Sequence, residues 1–251
     1  MRQRWRLAGF DIARVKRRKP NRRYSCRAQR SCLKEASHLM LNETKGASIS
    51  KGEKTRERLL EIAESSVLQK GFSNTSIDEI IAAADITKSG FFYHFRDKTE
   101  LAKALILRYI ANDDAVLDSI FVRARELSED PLHAFLIGLK MFAEMMGAME
   151  EAHPGCMVAT VAYHDKQFND EVRRLNAEGV MSWRARFHDI LLEIAEAYPP
   201  KVDVDLEDLA DMLSGIVEGG IILSRVLDDP KLLSRQIVLF RIQVKMMFLG
   251  V

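Results

Sequence analysis

From Gly52 onward, apolar residues recur at steps of three and four almost throughout, and nowhere in the strict alternation that a half-buried strand needs. That periodicity confines the chain to an all-α fold, and its punctuation sets the helix ends. Leu59, Ile62, Ala63, Ser66 and Val67 share one helical face that Gly71 terminates. Ser76-Ile77-Asp78-Glu79 has the form of a capping box, opening a short helix through Ala84 with Ile77, Ile80 and Ile81 inward. Asp85 suits a turn, Thr87 starts a third helix to about His94, and Asp97-Lys98-Thr99-Glu100 caps a long one to about Arg125. Further helices are predicted from Pro131 to about Glu150, from beyond Gly155 to about His164, and from Phe168 to Ala197, where Pro199-Pro200 ends the run.

The last two segments are the most regular. Leu206, Leu209, Leu213, Ile216, Gly220, Leu223 and Leu227 form one stripe, and Met212, Gly215, Gly219, Ile222 and Val226 a second. Beyond Asp229-Pro230, Leu233, Ile237, Phe240, Val244 and Met247 repeat the pattern. Two apolar stripes on one helix need two partners: its own domain and a second subunit, unless a single subunit buries the helix on all sides. We assign Leu213, Ile216, Gly220, Leu223, Ile237, Phe240 and Val244 to a homodimer interface. Gly215 and Gly219 would let another helix approach closely.

Charge is distributed unevenly. Residues 1–39 carry 13 Lys/Arg against two acids, a balance of +11, whereas residues 111–251 carry 14 basic and 24 acidic groups, a balance of −10. With little apolar periodicity, residues 1–50 are expected to be a disordered basic extension. They are either an arm touching nucleic acid or, if translation starts at Met40, absent from the native chain. No apolar run is long enough to span a membrane and no secretory signal opens the sequence, so a cytoplasmic, membrane-free protein is expected. Cys26, Cys32 and Cys156 make no CxxC pair, and the six histidines show no metal-ligand spacing, so neither a metal nor a cofactor is expected. Cys156 reads as a small buried hydrophobe or a redox sensor. Without a nucleophile–base pair or a phosphate-cradling glycine loop, an enzyme is not expected. A general nucleic-acid binder acting through residues 1–39 is the competing class.

Three short helices with a tight break before the third have the geometry of a helix-turn-helix, whose last member enters the major groove. Phe91 and Phe95 would anchor that helix, leaving Thr87, Lys88, Ser89 and Phe92 to face base edges. Lys88 suits guanine O6 or N7, and the hydroxyls suit several edges. Thr75 and Ser76 at one helix N-terminus, and His94 and Lys98 near another, would hold phosphates.

Gly71-Phe72, Thr75 to Ile80 and the run from Ile86 to Lys98, with its Tyr-His-Phe-x-x-Lys core, resemble the N-terminal domain of TetR-family repressors. The resemblance covers about 50 residues, from Lys54 to Leu105. It implies base reading by Lys88 and Ser89 and phosphate contacts by Thr75, Ser76, His94 and Lys98. Phe92 stands where the family usually has tyrosine, so that hydroxyl is missing; Phe92 would touch a thymine methyl instead, and the adjacent Tyr93 is assigned to phosphate. The resemblance further implies a helix-turn-helix domain over 51–100 and a helical ligand-binding and dimerisation domain over 101–251. The function implied is a homodimeric repressor, released from a palindromic operator on double-stranded DNA by an unidentified, largely apolar effector. Phe135, Met141, Phe142, Met145, Met146, Met157, Tyr163, Trp183 and Phe187 are the candidate pocket lining.

Overall fold

The computed structural model describes residues 50–250, and within them every regular element is helical. The basic segment 1–39, Met40, Cys26 and Cys32 lie outside the described residues. Among the described residues nine α-helices follow one another: α1 (Lys51–Lys70), α2 (Ile77–Ala84), α3 (Lys88–His94), α4 (Lys98–Leu127), α5 (Pro131–Gly147), α6 (Met157–Tyr163), α7 (Asp170–Ala197), α8 (Leu206–Val226) and α9 (Leu232–Leu249). A 3-10 turn, Asp165–Gln167, joins α6 to α7. None of these helices is long and apolar enough to cross a membrane.

The ends are set locally. Ser50 and Glu53 form one reciprocal capping box and Ser76 and Glu79 another, while Thr87, Asp97, Asp130, Asn169 and Asp205 each accept a backbone N–H from the first turn that follows. Asp85 closes α2 at φ 52°, a left-handed conformation that aspartate tolerates better than most residues. That single residue makes the tight break before α3.

Two hydrophobic cores result. The first joins Leu59, Ala63 and Val67 of α1 to Ile80, Phe91 and Phe95, and is closed by Leu101, Leu105 and Ile110 from the first half of α4. Met157 and Val161 of α6, with Phe168 and Val172, complete it. A boundary at residue 100 therefore cuts through α4 and omits α6, both of which complete the N-terminal bundle that we call the reading head for the groove-reading role expected of it. The second core holds Phe121 of α4, Phe135 and Leu139 of α5, Leu191 of α7, Leu213 of α8, and Ile237 and Phe240 of α9. α9 packs chiefly on α5 and α8, so the last two helices are one wall of this core.

That packing reverses the expected use of the two stripes. Leu213, Gly220, Ile237, Phe240 and Val244 are buried within the subunit and cannot meet a partner; Ile216 is half-buried against the same core. Gly220 explains why. A Cβ there would lie 2.7 Å from Leu233 Cδ1 and 3.2 Å from its Cα, so glycine is what lets α8 reach α9. Of the seven residues assigned to the interface, Leu223 alone stays substantially exposed. The outward face instead carries Ile222, Leu223, Val226 and Leu227 of α8, with Gly215 and Gly219 opening on empty space. On α9, Val238, Leu239, Ile242 and Met246 extend it.

Candidate nucleic-acid interface and ligand cavity

Helix α3 is seven residues long and owes its position to two rings. Phe91 and Phe95 are both 0% exposed, their centroids 5.7 Å apart, with the Arg56 guanidinium 5.0 Å above Phe95. Burying two phenyl rings fixes the azimuth of α3, and the other side of the helix then has to face water. Thr87, Lys88 and Ser89 are exposed together there, with Phe92 at 42% and Tyr93 at 82% exposure. The Thr87 hydroxyl accepts from Gly90 N at 3.1 Å and lies 3.0 Å from Ser89 Oγ, so both hydroxyls are pre-positioned at the helix start. Lys88 has one weak neighbour, Asp78 at 4.0 Å, which a surface lysine gives up at little cost.

The expected phosphate residues divide. Ser76 is exposed and caps α2. Thr75 does not face outward: it is 1% exposed, its hydroxyl donates to Gly71 O and sits 3.1 Å from Ser66 Oγ. Its role is to tie α1 to α2. A buried threonine and a phosphate-binding threonine look alike in sequence, because both stand before a capping box. Lys98 is half-buried; its ammonium donates to Phe72 O at 2.8 Å, lies 4.7 Å from the Phe72 ring, and is pushed below the usual lysine range by burial. Two N–H donors remain for a phosphate. His94 is also lowered, by burial and by Arg56, and so is neutral at pH 7. A Cβ at Gly52 would lie 4.0 Å from His94 Cε1, which brings the N-terminus of α1, with exposed Lys51 and Lys54, to the same edge. Those two lysines carried no motif in the sequence.

The second site is a cavity of about 120 Å³ among α4, α5, α7 and α8. Phe142, Met146, Trp183 and Phe187 line it as expected. The other five expected lining residues do not. Phe135 belongs to the core of the C-terminal bundle, Met141 packs on that core from outside, Met157 is buried in the reading head, and Met145 and Tyr163 face solvent. In their place the wall includes Val116, Leu117, Val217 and Ile221, and a polar group made of Tyr109, Asp113, His153, Cys156, Ser214 and Glu218. The Cys156 thiol lies within hydrogen-bonding reach of Tyr109 and Glu218, and burial pushes its pKa up to about 12. It is therefore protonated at neutral pH, the opposite of a reactive thiolate.

Helix α4 connects the two sites. Its Arg108 pairs with Glu57 at 2.6 Å and with Glu64, both on α1. One residue later Tyr109 enters the cavity wall, followed by Asp113; Asp114 and Asp118 then pair with Arg186 of α7.

A family model described as bacterial regulatory proteins of the tetR family matches residues 59–105, and one described as tetracyclin repressor-like C-terminal domain matches residues 139–240. Together the matches take in more than half of the chain. A probable acrEF/envCD operon repressor from Escherichia coli (strain K12) is 28% identical over 149 residues, which cover 57% of this chain and 62% of that protein. The chain thus matches less than two thirds of that relative's length. The transcriptional regulator AcuR from Cereibacter sphaeroides is 27% identical over 158 residues, 63% of this chain and 70% of that one. In fold, the chain is similar to the crystal structure of a regulatory protein TetR from Rhodobacter sphaeroides, with a TM-score of 0.64 at 23% identity over 74% of this chain and 97% of that chain. The reduced form of Escherichia coli NemR gives a TM-score of 0.63 at 18% identity, covering 74% and 95%.

Proposed function

Because the chain belongs to the TetR family of bacterial regulatory proteins, we propose that it is a homodimeric repressor that reads a palindromic operator with α3 and releases it when a small molecule fills the cavity. The observation that carries this reading is the division of α3 into a fully buried Phe91/Phe95 side and an exposed side of Thr87, Lys88, Ser89 and Phe92. A seven-residue helix held this way presents its N-terminal end as a major-groove probe needs to. Ser76, Tyr93, His94 and Lys98, joined by Lys51 and Lys54, form the phosphate-holding rim; Thr75 supports it from inside. Dimerisation uses the outward face of α8 and α9 around Ile222 and Ile242. The effector acts through α4, because Arg108 grips α1 while Tyr109 and Asp113 stand in the cavity wall. A shift of α4 changes the separation of the two reading heads, and by linkage operator DNA weakens effector binding by the same factor.

Selection from a random duplex pool, with sedimentation of the free protein, tests this. Paired, two-fold-related half-sites and a dimer at micromolar concentration are expected, with Kd between about 10⁻⁸ and 10⁻¹¹ M at physiological salt. A stable monomer, or enrichment without two-fold symmetry, would refute it.

The two lysines of the site should fail differently on the selected operator. Lys88→Ala is expected to relax preference at one base pair per half-site, at a cost of about 1–3 kcal/mol for a bidentate contact, and to leave stability unchanged. Lys98→Ala should weaken all sequences alike and flatten the salt dependence by about one unit per contact. It should also lower stability by about 1–2 kcal/mol, because the bond to Phe72 O goes with it. Equal losses of specificity from both variants would reject the division of roles.

A further inference from the structure

Counting charges in the cavity wall narrows what can enter it. Among the described residues no lysine or arginine lines it, and His153, lowered by burial and by Arg225, is neutral at pH 7. Two carboxylates do line it, Asp113 from α4 and Glu218 from α8. Among the described residues no cation pairs with Asp113, and the neighbouring charges that shift it are those of Asp114 and Glu64, both also carboxylates. Burial and those like charges push its pKa up to about 7. Around the acids stand aromatic rings, Tyr109, Phe142, Trp183 and Phe187. The Trp183 indole N–H is buried without an acceptor.

Each ligand class meets this wall differently. An anion meets two acids and, among the described lining residues, no cation. A neutral hydrocarbon leaves a buried carboxyl uncompensated. A cation carried on an apolar body supplies the missing counter-charge to Asp113 and Glu218, and its charge is further stabilised over the faces of the surrounding rings. Building on the reading of this cavity as an effector site, we infer that its ligand is a lipophilic cation, an aromatic or alkyl ammonium with a single positive centre held between Asp113 and Glu218. The apolar residues Leu117, Phe142 and Phe187 then take the body of the molecule, and the acids choose its charge.

The test uses two molecules of one shape. Phenyltrimethylammonium and tert-butylbenzene are isosteres that differ by a permanent charge. Each is titrated calorimetrically into the full-length protein and into Asp113→Asn and Glu218→Gln variants, and then added to the protein–operator complex. The cation is expected to bind at least about tenfold more tightly than the hydrocarbon, the acids and ring faces together outweighing its larger desolvation cost. Asp113→Asn should remove most of the preference while leaving tert-butylbenzene affinity within about twofold. Glu218→Gln should reduce it by a smaller factor, and it serves as the working variant if the first does not fold. Equal or tighter binding of tert-butylbenzene to the unaltered protein would overturn the charge selection and leave an apolar effector site standing. Binding of neither molecule would overturn the charge selection together with the effector site itself. Binding of the cation without weaker operator affinity would keep the charge selection and remove the release mechanism.

Discussion

With glutamate at both Ile222 and Ile242, the protein is expected to sediment as a folded monomer and to lose operator affinity by about 10³-fold or more, approaching its non-specific binding. Both side chains are substantially exposed on the subunit, one on α8 and one on α9, and neither belongs to a buried core, so their replacement leaves both cores filled. Surface changes of that kind alter stability by about 0.5 kcal/mol or less. In a two-fold dimer the same changes place carboxylates on both sides of an apolar contact, where each loses its water without gaining a partner. Operator binding is expected to collapse because, in the proposed dimer, two heads on one body would hold two half-sites at high effective concentration, whereas a monomer would hold one. Phe240→Glu is the contrasting variant. Phe240 is fully buried, so it should unfold the C-terminal bundle rather than dissociate it. Sedimentation velocity, thermal melting and operator titration on the three proteins separate these outcomes. A double variant that remains a dimer would show that subunits pair elsewhere.

Neighbouring phenylalanines on α3 should fail in opposite ways. Phe91→Ala is expected to cost about 3–5 kcal/mol of stability, since it empties the centre of the reading head and removes the ring against which Phe92 and Phe95 pack. Phe92 keeps 42% of its surface in water, so Phe92→Ala should cost less than about 1 kcal/mol of stability yet weaken operator binding, most at sites whose facing base is thymine. Chemical denaturation and operator titration across single-base variants measure both. Comparable unfolding midpoints for the two variants would mean that the azimuth of α3 has been misassigned.

Helix ends and the reading helix were legible in the sequence because their causes lie within four residues. Ser76 with Glu79, Thr87 with Gly90 and Asp97 with Glu100 are contacts across a single turn, and each is present where the pattern places it. The side of α3 that faces outward was legible for the same reason. Phe91 and Phe95 are the bulky pair at a four-residue spacing, and whatever is opposite them must be exposed.

What the sequence could not decide was which of two equally apolar stripes belongs inside. On α8 that choice was made by α9, whose Leu233 fits only against the missing side chain of Gly220, while Gly215 and Gly219 face open space. Hydrophobicity is a scalar and carries no direction between two faces, so a long-range fit had to break the tie. The cavity was hidden for a related reason. Its methionines and aromatics are distributed by packing, which sent Met157 to the reading head and Met146 to the cavity. Its acids, Asp113 and Glu218, stand more than 100 residues apart with no motif around either. Local sequence determined the helices, their ends and the reading head of this protein. The tertiary structure alone decided which apolar faces stay exposed and which charges meet inside the cavity, because burial depends on what arrives from elsewhere in the chain.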